Sequence, residues 1–273
     1  MSTIAYLGPA GTFSEVAAHR VGLAEVTPLP CVTIAEVFEA VERGKADLGV
    51  VPIENSIEGS VVATLDALVF DSSLEIQQEL VLDIRFALVG VPGASLRDIT
   101  SVVAHPQASG QCRRWLERYL PGRPVTAANS NAEAVQIAAA TPGVAGLGPA
   151  LAAEIYGAEV IEHDVQDYAG NQTRFVVIGR GLQPRTGQDK TSLALFMKQD
   201  KPGALLMILS EFAYGDINLT KIQSRPTKRQ LGDYMFFVDL EGHVDDPHVR
   251  LALDCLRLKL REVRVLGSYP IAK

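Results

Sequence analysis

The fold is decided by residues 101–156, which read SVVAHPQASGQCRRWLERYLPGRPVTAANSNAEAVQIAAATPGVAGLGPALAAEIY. Short apolar runs alternate there with stretches of helical periodicity: predicted strands at 101–104, 125–127 and 144–147, and predicted helices at 110–119, 131–139 and 149–156. Repeated strand–helix alternation is typical of a mostly parallel sheet covered by helices. We therefore predict an α/β fold for this part of the chain.

The same alternation extends back to residue 4 and forward to residue 178. Residues 181–189 carry two glycines and a proline without apolar periodicity, which is typical of a linker. Beyond them the order becomes strand, helix, strand, strand, helix, strand, the βαββαβ pattern of a ferredoxin-like module. We predict two domains, at residues 1–180 and 190–273.

Charge and composition narrow the class of protein. The 273 residues are 47% hydrophobic and 21% charged with net charge −7, an ordinary globular composition that argues against nucleic acid as the main partner. Residues 190–273 hold 13 basic and 10 acidic side chains, whereas the rest of the chain holds 12 and 22. The first domain therefore carries a net negative charge and does not attract an anionic ligand over a distance. Individual charged or polar groups of its site must hold such a ligand.

The sequence also lacks several signatures. No apolar run is long enough to span a bilayer, and the N-terminus has no basic region typical of a signal peptide. The three cysteines are far apart without CxxC spacing, so we expect a reduced, cytoplasmic protein. His and Cys pairs with metal-ligand spacing and nucleotide fingerprints are missing, so we expect no metal and no cofactor. His163 and His243 are interpreted as solvated.

Four polar clusters fall at ends of predicted strands or at adjoining turns: GTFS at 11–14, ENSIEG at 54–59, HPQ at 105–107 and NQTRF at 171–175. Ligands of open α/β sheets bind outside the carboxyl ends of the strands, so the clusters are expected to converge on one crevice. Each cluster also has a purely structural interpretation. Thr12 or Ser14 can cap a helix, Glu54 can lock a turn, and His105 can belong to a turn.

At these residues the chain resembles the prephenate dehydratase family in its monofunctional two-domain form. The matching segments are LGPAGTFSE at 7–15, VPIENS at 51–56, HPQA at 105–108 with Gln111-Cys112, and NQTRF at 171–175. Later segments are similar to the family's regulatory ACT domain: GALL at 203–206, INLT at 217–220, SRP at 224–226 and LGSYP at 266–270.

The resemblance implies a catalytic domain of two lobes, similar to type 2 periplasmic binding proteins, with the second lobe at about 78–164. It implies the decarboxylative dehydration of prephenate to phenylpyruvate, without a cofactor. Thr173 matches the family's essential threonine. Substrate-binding roles are expected for Thr12, Ser14, Asn55, Ser56, Arg174 and Phe175. Supporting roles beside the substrate are expected for Glu54, His105, Gln107 and Asn171.

The ACT resemblance implies feedback regulation by L-phenylalanine. The expected effector residues are Gly203, Ala204, Leu205, Leu206, Asn218, Leu219, Gln223, Ser224, Arg225 and Pro226. Gln223 stands where the family usually has Glu, and an amide cannot pair its charge with a ligand ammonium. ACT domains usually pair through their sheets, so a homo-oligomer, dimer or tetramer, is expected.

Two other functions remain open at this point. Arogenate dehydratase performs the same reaction on the aminated substrate, and no spacing in the sequence separates the two. A non-catalytic sensor of a small molecule is also compatible with a bilobal fold and an ACT domain. The cluster at 171–175 counts against a pure sensor, because sensing needs no dehydration donor.

Overall fold

The computed structural model describes residues 2–199, 201–229 and 232–272. The chain divides into two compact units, one formed by Met1–Thr64 with Leu80–Phe175 and the other by Leu65–Glu79 with Val176–Lys273. The domain bounds 1–180 and 190–273, and the second lobe at about 78–164, stay predictions.

The N-terminal part of the chain alternates strands and helices: β1 (Ser2–Leu7), α1 (Phe13–His19), β2 (Val26–Cys31), α2 (Ile34–Glu42), β3 (Leu48–Asn55), β4 (Gly59–Ser60) and α3 (Val62–Asp66). A π-helical turn, Ala67–Asp71, follows α3, and β5 (Glu75–Asp83) comes next. Strands β1, β2 and β3 pair in parallel, with β1 between the other two. This arrangement agrees with the predicted α/β fold.

Strand β2 is missing from the sequence expectations, because Pro28 and Pro30 argue against a strand. In the structure these prolines lie opposite Ile4 and Tyr6 of β1. Because β2 is the last strand of its sheet, the missing N–H groups face no further strand. An edge position therefore explains how the strand tolerates two prolines.

A second sheet occupies the middle of the chain, between β5 and β11. Its elements are β6 (Ala87–Gly90), a 3₁₀ turn (Leu96–Asp98), β7 (Ser101–Ala104), α4 (Pro106–Gln111), α5 (Arg113–Tyr119), β8 (Val125–Ala127), α6 (Asn131–Ala140), β9 (Val144–Gly148), α7 (Ala150–Tyr156) and β10 (Glu159–Glu162). The strand order is β10-β6-β9-β7-β8, with β7, β8 and β9 parallel. We refer to this sheet and its helices as the second lobe, and to the sheet of β1, β2 and β3 with its helices as the first lobe. Strand β11 (Gln172–Gly179) brings the chain back beside β3 of the first lobe.

The second unit contains β12 (Asp189–Phe196), α8 (Ala204–Tyr214), β13 (Leu219–Pro226), β14 (Tyr234–Glu241), α9 (Pro247–Lys259) and β15 (Glu262–Pro270). The antiparallel order β13-β14-β12-β15 is the ferredoxin-like arrangement that the sequence predicts. Apolar side chains of α8 and α9, such as Ile208, Phe212, Leu253 and Leu256, are buried against this sheet.

The expectation that His243 is solvated is wrong. Its side chain is 2% exposed, Nδ1 accepts a hydrogen bond from the Asp245 N–H at 3.1 Å, and Nε2 lies 3.0 Å from the Gln183 carbonyl oxygen. Both ring nitrogens therefore have partners, as a buried imidazole requires. The partner at Gln183 is 60 residues away, so the sequence gives no sign of it.

Candidate active site

A cavity of about 230 Å³ lies inside the first unit, where the two lobes face each other. Its wall is formed by Phe13, Pro52, Asn55, Glu58, Gly59, Ser60, Val61, Ile84, Phe86, Gln107, Gln111, Asn131, Asn171 and Thr173. Three of the four predicted polar clusters contribute side chains of predicted site residues, namely Asn55, Gln107, Asn171 and Thr173. The carboxyl ends of β3 and β7 and the start of β11 thus meet at one place, as the rule for open sheets predicts.

A chain of hydrogen-bonded side chains crosses this wall. The Asn55 Nδ2 donates to Thr173 Oγ1 at 2.9 Å and to Asn171 Oδ1 at 2.9 Å. Asn171 Nδ2 in turn donates to Gln111 Oε1 at 2.7 Å. Asn171, Gln111 and Thr173 are all buried, so these partners fix the side chains in place.

The orientation of the Asn55 carboxamide follows from its other contacts. Its Oδ1 accepts the backbone N–H groups of Ile57 at 2.9 Å and Glu58 at 3.0 Å, so the opposite end must be the amino group. An amino group only donates, so Thr173 Oγ1 is the acceptor of the bond between them. The Thr173 hydroxyl proton is then free to point away from Asn55, and Thr173 is a residue of the cavity wall.

Aromatic side chains form the apolar part of the wall. Phe13 of α1 meets Phe86 edge to face, with ring centroids 5.5 Å apart. Phe13 belongs to the first lobe and Phe86 adjoins β6 of the second, so this pair joins the two lobes beside the cavity. Such a pair contributes about 0.5–1.5 kcal/mol beyond its buried area. Neither Phe13 nor Phe86 was predicted as a site residue from the sequence.

The turn between β1 and α1 is arranged differently from expectation. The Gly11 N–H donates to Glu15 Oε2 at 2.5 Å, and Thr12 Oγ1 donates to the Leu7 carbonyl at 3.1 Å. Neither Thr12 nor Ser14 lies in the cavity wall, where Phe13 takes their place. The Gly11 N–H is therefore bonded to an internal carboxylate and is not available to a substrate oxygen. Gly11 itself has φ +82°, and an added Cβ would meet Ala152 at 3.0 Å.

The buried Glu15 is the centre of a small polar cluster. Burial, together with the Glu15 carboxylate, raises the pKa of the Tyr6 phenol well above its usual range. Burial, with a smaller contribution from the same carboxylate, also raises the pKa of Tyr156, whose hydroxyl donates to the Ala10 carbonyl at 2.8 Å. These contacts hold the turn that presents Phe13 to the cavity.

Other predicted site residues lie outside the wall. Ser56 accepts the Gln172 N–H at its hydroxyl at 2.9 Å, which joins its turn to β11. Arg174 alternates with Thr173 along β11 and has Glu54 3.9 Å away. Phe175 is buried in the core. The substrate-binding roles given to Ser56, Arg174 and Phe175, like those of Thr12 and Ser14, stay predictions.

His105 is the N-cap of α4, and its Nδ1 accepts the Gln107 N–H at 3.4 Å. This contact matches the structural alternative for His105, a residue of the turn rather than of the wall. Glu54 has its ion-pair partner Arg174 at 3.9 Å and is likewise absent from the wall. Among the residues that line the cavity in the described part of the chain, Glu58 carries the single ionisable side chain of ordinary acid or base type.

The second unit has its own cavity, of about 570 Å³, beside the start of α8. Gly203 and Ala204 line it, together with Lys198, Lys201 and Lys259. Gly203 adopts φ +85° as the N-cap residue of α8, which suits glycine. Leu205 is partly exposed and Leu206 largely exposed. Asp200, which precedes this helix in the sequence, lies outside the described residues.

Strand β13 carries the remaining predicted effector residues, from Leu219 to Pro226, with Asn218 just before it. Gln223 Oε1 is buried without a hydrogen-bond partner among the described residues. Arg225 forms a two-point ion pair with Asp66, at 2.6 Å for each contact, and Lys228 lies 2.9 Å from the same carboxylate. Burial raises the pKa of Asp66, but hydrogen bonds and charges of Arg225 and Lys228 outweigh burial and bring it below its usual range.

No helix in the described part of the chain is long and apolar enough to cross a membrane.

Two family models match consecutive parts of the chain. The family model "Prephenate dehydratase" matches residues 4–182, and the model "ACT domain" matches residues 191–254. A prephenate dehydratase of Mycolicibacterium vanbaalenii is 45% identical over 286 residues, covering 99% of this chain and 91% of that protein.

Solved structures agree with this similarity. A crystal structure of prephenate dehydratase from Arthrobacter aurescens in complex with L-Phe has 39% identity and a TM-score of 0.90, covering 98% of this chain and 90% of that chain. GqqA, described as a novel type of quorum quenching acylase, has 30% identity and the same TM-score, covering 98% of this chain and 97% of its own.

Proposed function

The chain belongs to the prephenate dehydratase family, and from that premise we propose that Thr173 is the hydrogen-bond donor of its reaction. The protein converts prephenate to phenylpyruvate, water and CO2, and L-phenylalanine regulates it. The observation that carries the proposal is the bond from Asn55 Nδ2 to Thr173 Oγ1 in the wall of the cavity.

The reaction requires a hydrogen-bond donor beside the departing ring hydroxyl group. Prephenate is a dianion that takes up one proton and becomes the phenylpyruvate anion, CO2 and water. The ring carboxylate leaves its bonding electrons to the ring as CO2 departs, and the ring hydroxyl departs with the C–O bonding pair. Hydroxide is a poor leaving group, so a donor against that oxygen stabilises the transition state.

The Thr173 hydroxyl fits the part of such a donor. Its oxygen already accepts from Asn55, so its proton is available for the departing oxygen. A threonine hydroxyl is too weak an acid to ionise, so it holds the oxygen by a hydrogen bond while the net proton is taken up from water in the open cavity. The hydrogen bonds from Asn55 to Asn171 and from Asn171 to Gln111 hold Asn55 in position beside Thr173.

The apolar faces of Phe13 and Phe86 suit the six-membered ring of the substrate. Arg174 remains a candidate partner of a substrate carboxylate, as the family resemblance implies. The carboxamide of Gln107 lies in the wall as well and is proposed to support substrate binding. Glu54 and His105 are proposed to act from outside the wall, through Arg174 and α4 respectively.

The effector is proposed to bind the second unit around Gly203–Leu206 and Gln223–Pro226. The cavity beside Gly203 and Ala204, with three lysines in its wall, supports a ligand that carries a carboxylate. The structure with L-Phe from Arthrobacter aurescens supports the same ligand. We also propose a homo-oligomer, dimer or tetramer, formed through this unit. Ile222, an exposed apolar side chain on the outermost strand β13, supports pairing through the sheet.

A cytoplasmic location is proposed from the widely spaced cysteines and the class of enzyme, because a biosynthetic enzyme of this kind uses a metabolite made inside the cell.

The proposal is tested by competing prephenate with arogenate on the purified protein, with no cofactor added and with a chelator present. We expect phenylpyruvate from prephenate in preference to phenylalanine from arogenate. Faster turnover of arogenate would assign the protein to the aminated substrate instead. Turnover of neither substrate would leave a sensor as the function.

A further inference from the structure

The two lobes of the first unit touch at a second place besides the aromatic pair in the cavity wall. There the turn between β1 and α1 lies against α7, a helix of the second lobe. A Cβ added to Gly11 of this turn would meet the backbone and side chain of Ala152 at 3.0 Å. The hydroxyl of Tyr156, the last residue of α7, donates to the Ala10 carbonyl oxygen at 2.8 Å. Turn and helix are therefore in direct contact, and a hydrogen bond joins them.

On the side of the first lobe, hydrogen bonds hold this turn in one shape. The Gly8 N–H donates to the Cys31 carbonyl oxygen at 2.8 Å, which ties the turn to β2. The Gly11 N–H donates to the carboxylate of the buried Glu15. A hydrogen bond to a charged group away from water is strong. Because Phe13 comes directly after the turn, the contacts that hold the turn also place Phe13 in the cavity wall.

On the side of the second lobe, Tyr156 is part of the core. Its ring packs against a buried apolar cluster that includes Ala87 and Val89 of β6 and Ala153 of α7. Interiors packed in this way move as one body. Phe86, which lines the cavity, immediately precedes β6. A movement of α7 away from the turn therefore also draws the two aromatic wall residues apart.

We propose, on the basis of the dehydratase function above, that Tyr156 is a positioning residue of the reaction. Its bond to Ala10 is a latch that holds the two lobes together around the substrate. Tyr156 acts through the turn, because it does not belong to the described wall of the cavity. In the latched arrangement Phe13 meets Phe86. A substrate that contacts both lobes binds this arrangement, so its apparent affinity decreases when fewer molecules are latched.

The test is Tyr156→Phe, which removes the hydroxyl and keeps the ring in the apolar cluster. Loss of one neutral hydrogen bond shifts the equilibrium between latched and unlatched molecules by about fivefold. We therefore expect the KM for prephenate to rise about two- to fivefold. The kcat stays within about 1.5-fold of the parent's, because the same groups surround the substrate once it is bound. In the ligand-free protein, backbone N–H groups of residues 10–13 exchange with deuterated water at least about twofold faster.

Tyr119→Phe is the matched control. It removes the same hydroxyl from another helix of the second lobe, α5, where the ring packs on Trp115. Its KM and its exchange rates at residues 10–13 equal those of the parent, and thermal unfolding checks that both variants are folded. A folded Tyr156→Phe protein with the parent's KM overturns the inference, whatever its kcat. A parent protein that does not turn over prephenate contradicts the proposed function instead, and the exchange rates of the ligand-free protein then test the latch on their own.

Discussion

Replacing Asn55 by aspartate probes the catalytic proposal with a change of almost no volume. In the parent, the Asn55 amino group faces three oxygens: Thr173 Oγ1 and Asn171 Oδ1 at 2.9 Å, and the Gln172 carbonyl at 3.1 Å. In Asn55→Asp an oxygen takes its place, so the donations to Asn171 and Gln172 are lost. The contact with Thr173 survives only if the threonine becomes the donor.

The size of each effect follows from these contacts. Two lost hydrogen bonds and an unpaired buried acceptor on Asn171 cost about 2–4 kcal/mol of the free energy of unfolding. A Thr173 proton directed at the new carboxylate is no longer available to the departing oxygen. Loss of one such donor lowers kcat by about 10²–10³. The assay is phenylpyruvate formation from prephenate at saturating substrate, with urea unfolding as the stability measurement.

Asn55→Ala separates the two contributions. It removes the amino group without offering a competing acceptor, so the Thr173 hydroxyl remains free to turn toward the substrate, and kcat falls only about tenfold. A folded Asn55→Asp protein with kcat within tenfold of the parent, or no slower than Asn55→Ala, would refute the reasoning.

Three further predictions follow from the contacts of Asp66 and Phe13. Asp66→Asn weakens inhibition by L-phenylalanine at least fivefold at unchanged basal kcat, because Asp66 pairs with Arg225 of the predicted effector strand. Asp66 is also the last residue of α3, the helix that follows the cavity wall. As a control, Asp254→Asn removes an ion-paired carboxylate on α9 and leaves the inhibition curve unchanged. The same Asp66→Asn change lowers the free energy of unfolding by roughly 2 kcal/mol at pH 7. Because the pKa of Asp66 is lower in the folded protein than in the unfolded chain, the stability difference between parent and variant is fully present above about pH 4. It shrinks as the pH falls through the folded pKa. Urea unfolding of both proteins at pH 7 and pH 3 measures this change. Phe13→Leu raises the KM for prephenate about three- to tenfold, since the edge contact with Phe86 is lost, and equal KM values in steady-state assays would contradict a role in ring binding.

Much of the fold was predictable because strand–helix alternation is a local signal. The strands at 101–104 and 125–127 have the bounds predicted for them, and the ferredoxin-like order of the second unit is as expected. Strand β2 was not predictable from propensity, since its two prolines are acceptable only at a sheet edge. The π-helical turn Ala67–Asp71 directly follows α3, and apolar periodicity alone does not indicate such a change of helix type.

The site was predictable where a polar residue follows a strand in a distinctive motif, as Asn55, Asn171 and Thr173 do. Asn131 lies at the same kind of strand-to-helix transition but within an alanine-rich stretch without a distinctive motif. Which end of Asn55 faces Thr173 depends on two backbone N–H groups after β3, and only the folded turn shows that.

The role of Glu15 was also beyond the sequence. The helix start at 12–14 indicates exposed N–H groups, but the bond from the Gly11 N–H to the Glu15 carboxylate depends on how the turn folds back onto α1. Burial of His243 depends on Gln183, in the segment predicted as a linker. In both cases the local sequence indicates a polar group without a hydrogen-bond partner. In the structure, a residue outside that local pattern is its partner.

The most direct test of the account compares Thr173→Val with Thr173→Ser in turnover of prephenate. Valine keeps the shape of threonine but has no hydroxyl, whereas serine keeps the hydroxyl. The account predicts that Thr173→Val binds prephenate with a KM close to the parent's and loses at least about 10² in kcat, while Thr173→Ser retains most of the activity. A folded Thr173→Val protein that forms phenylpyruvate at nearly the parental rate would contradict it.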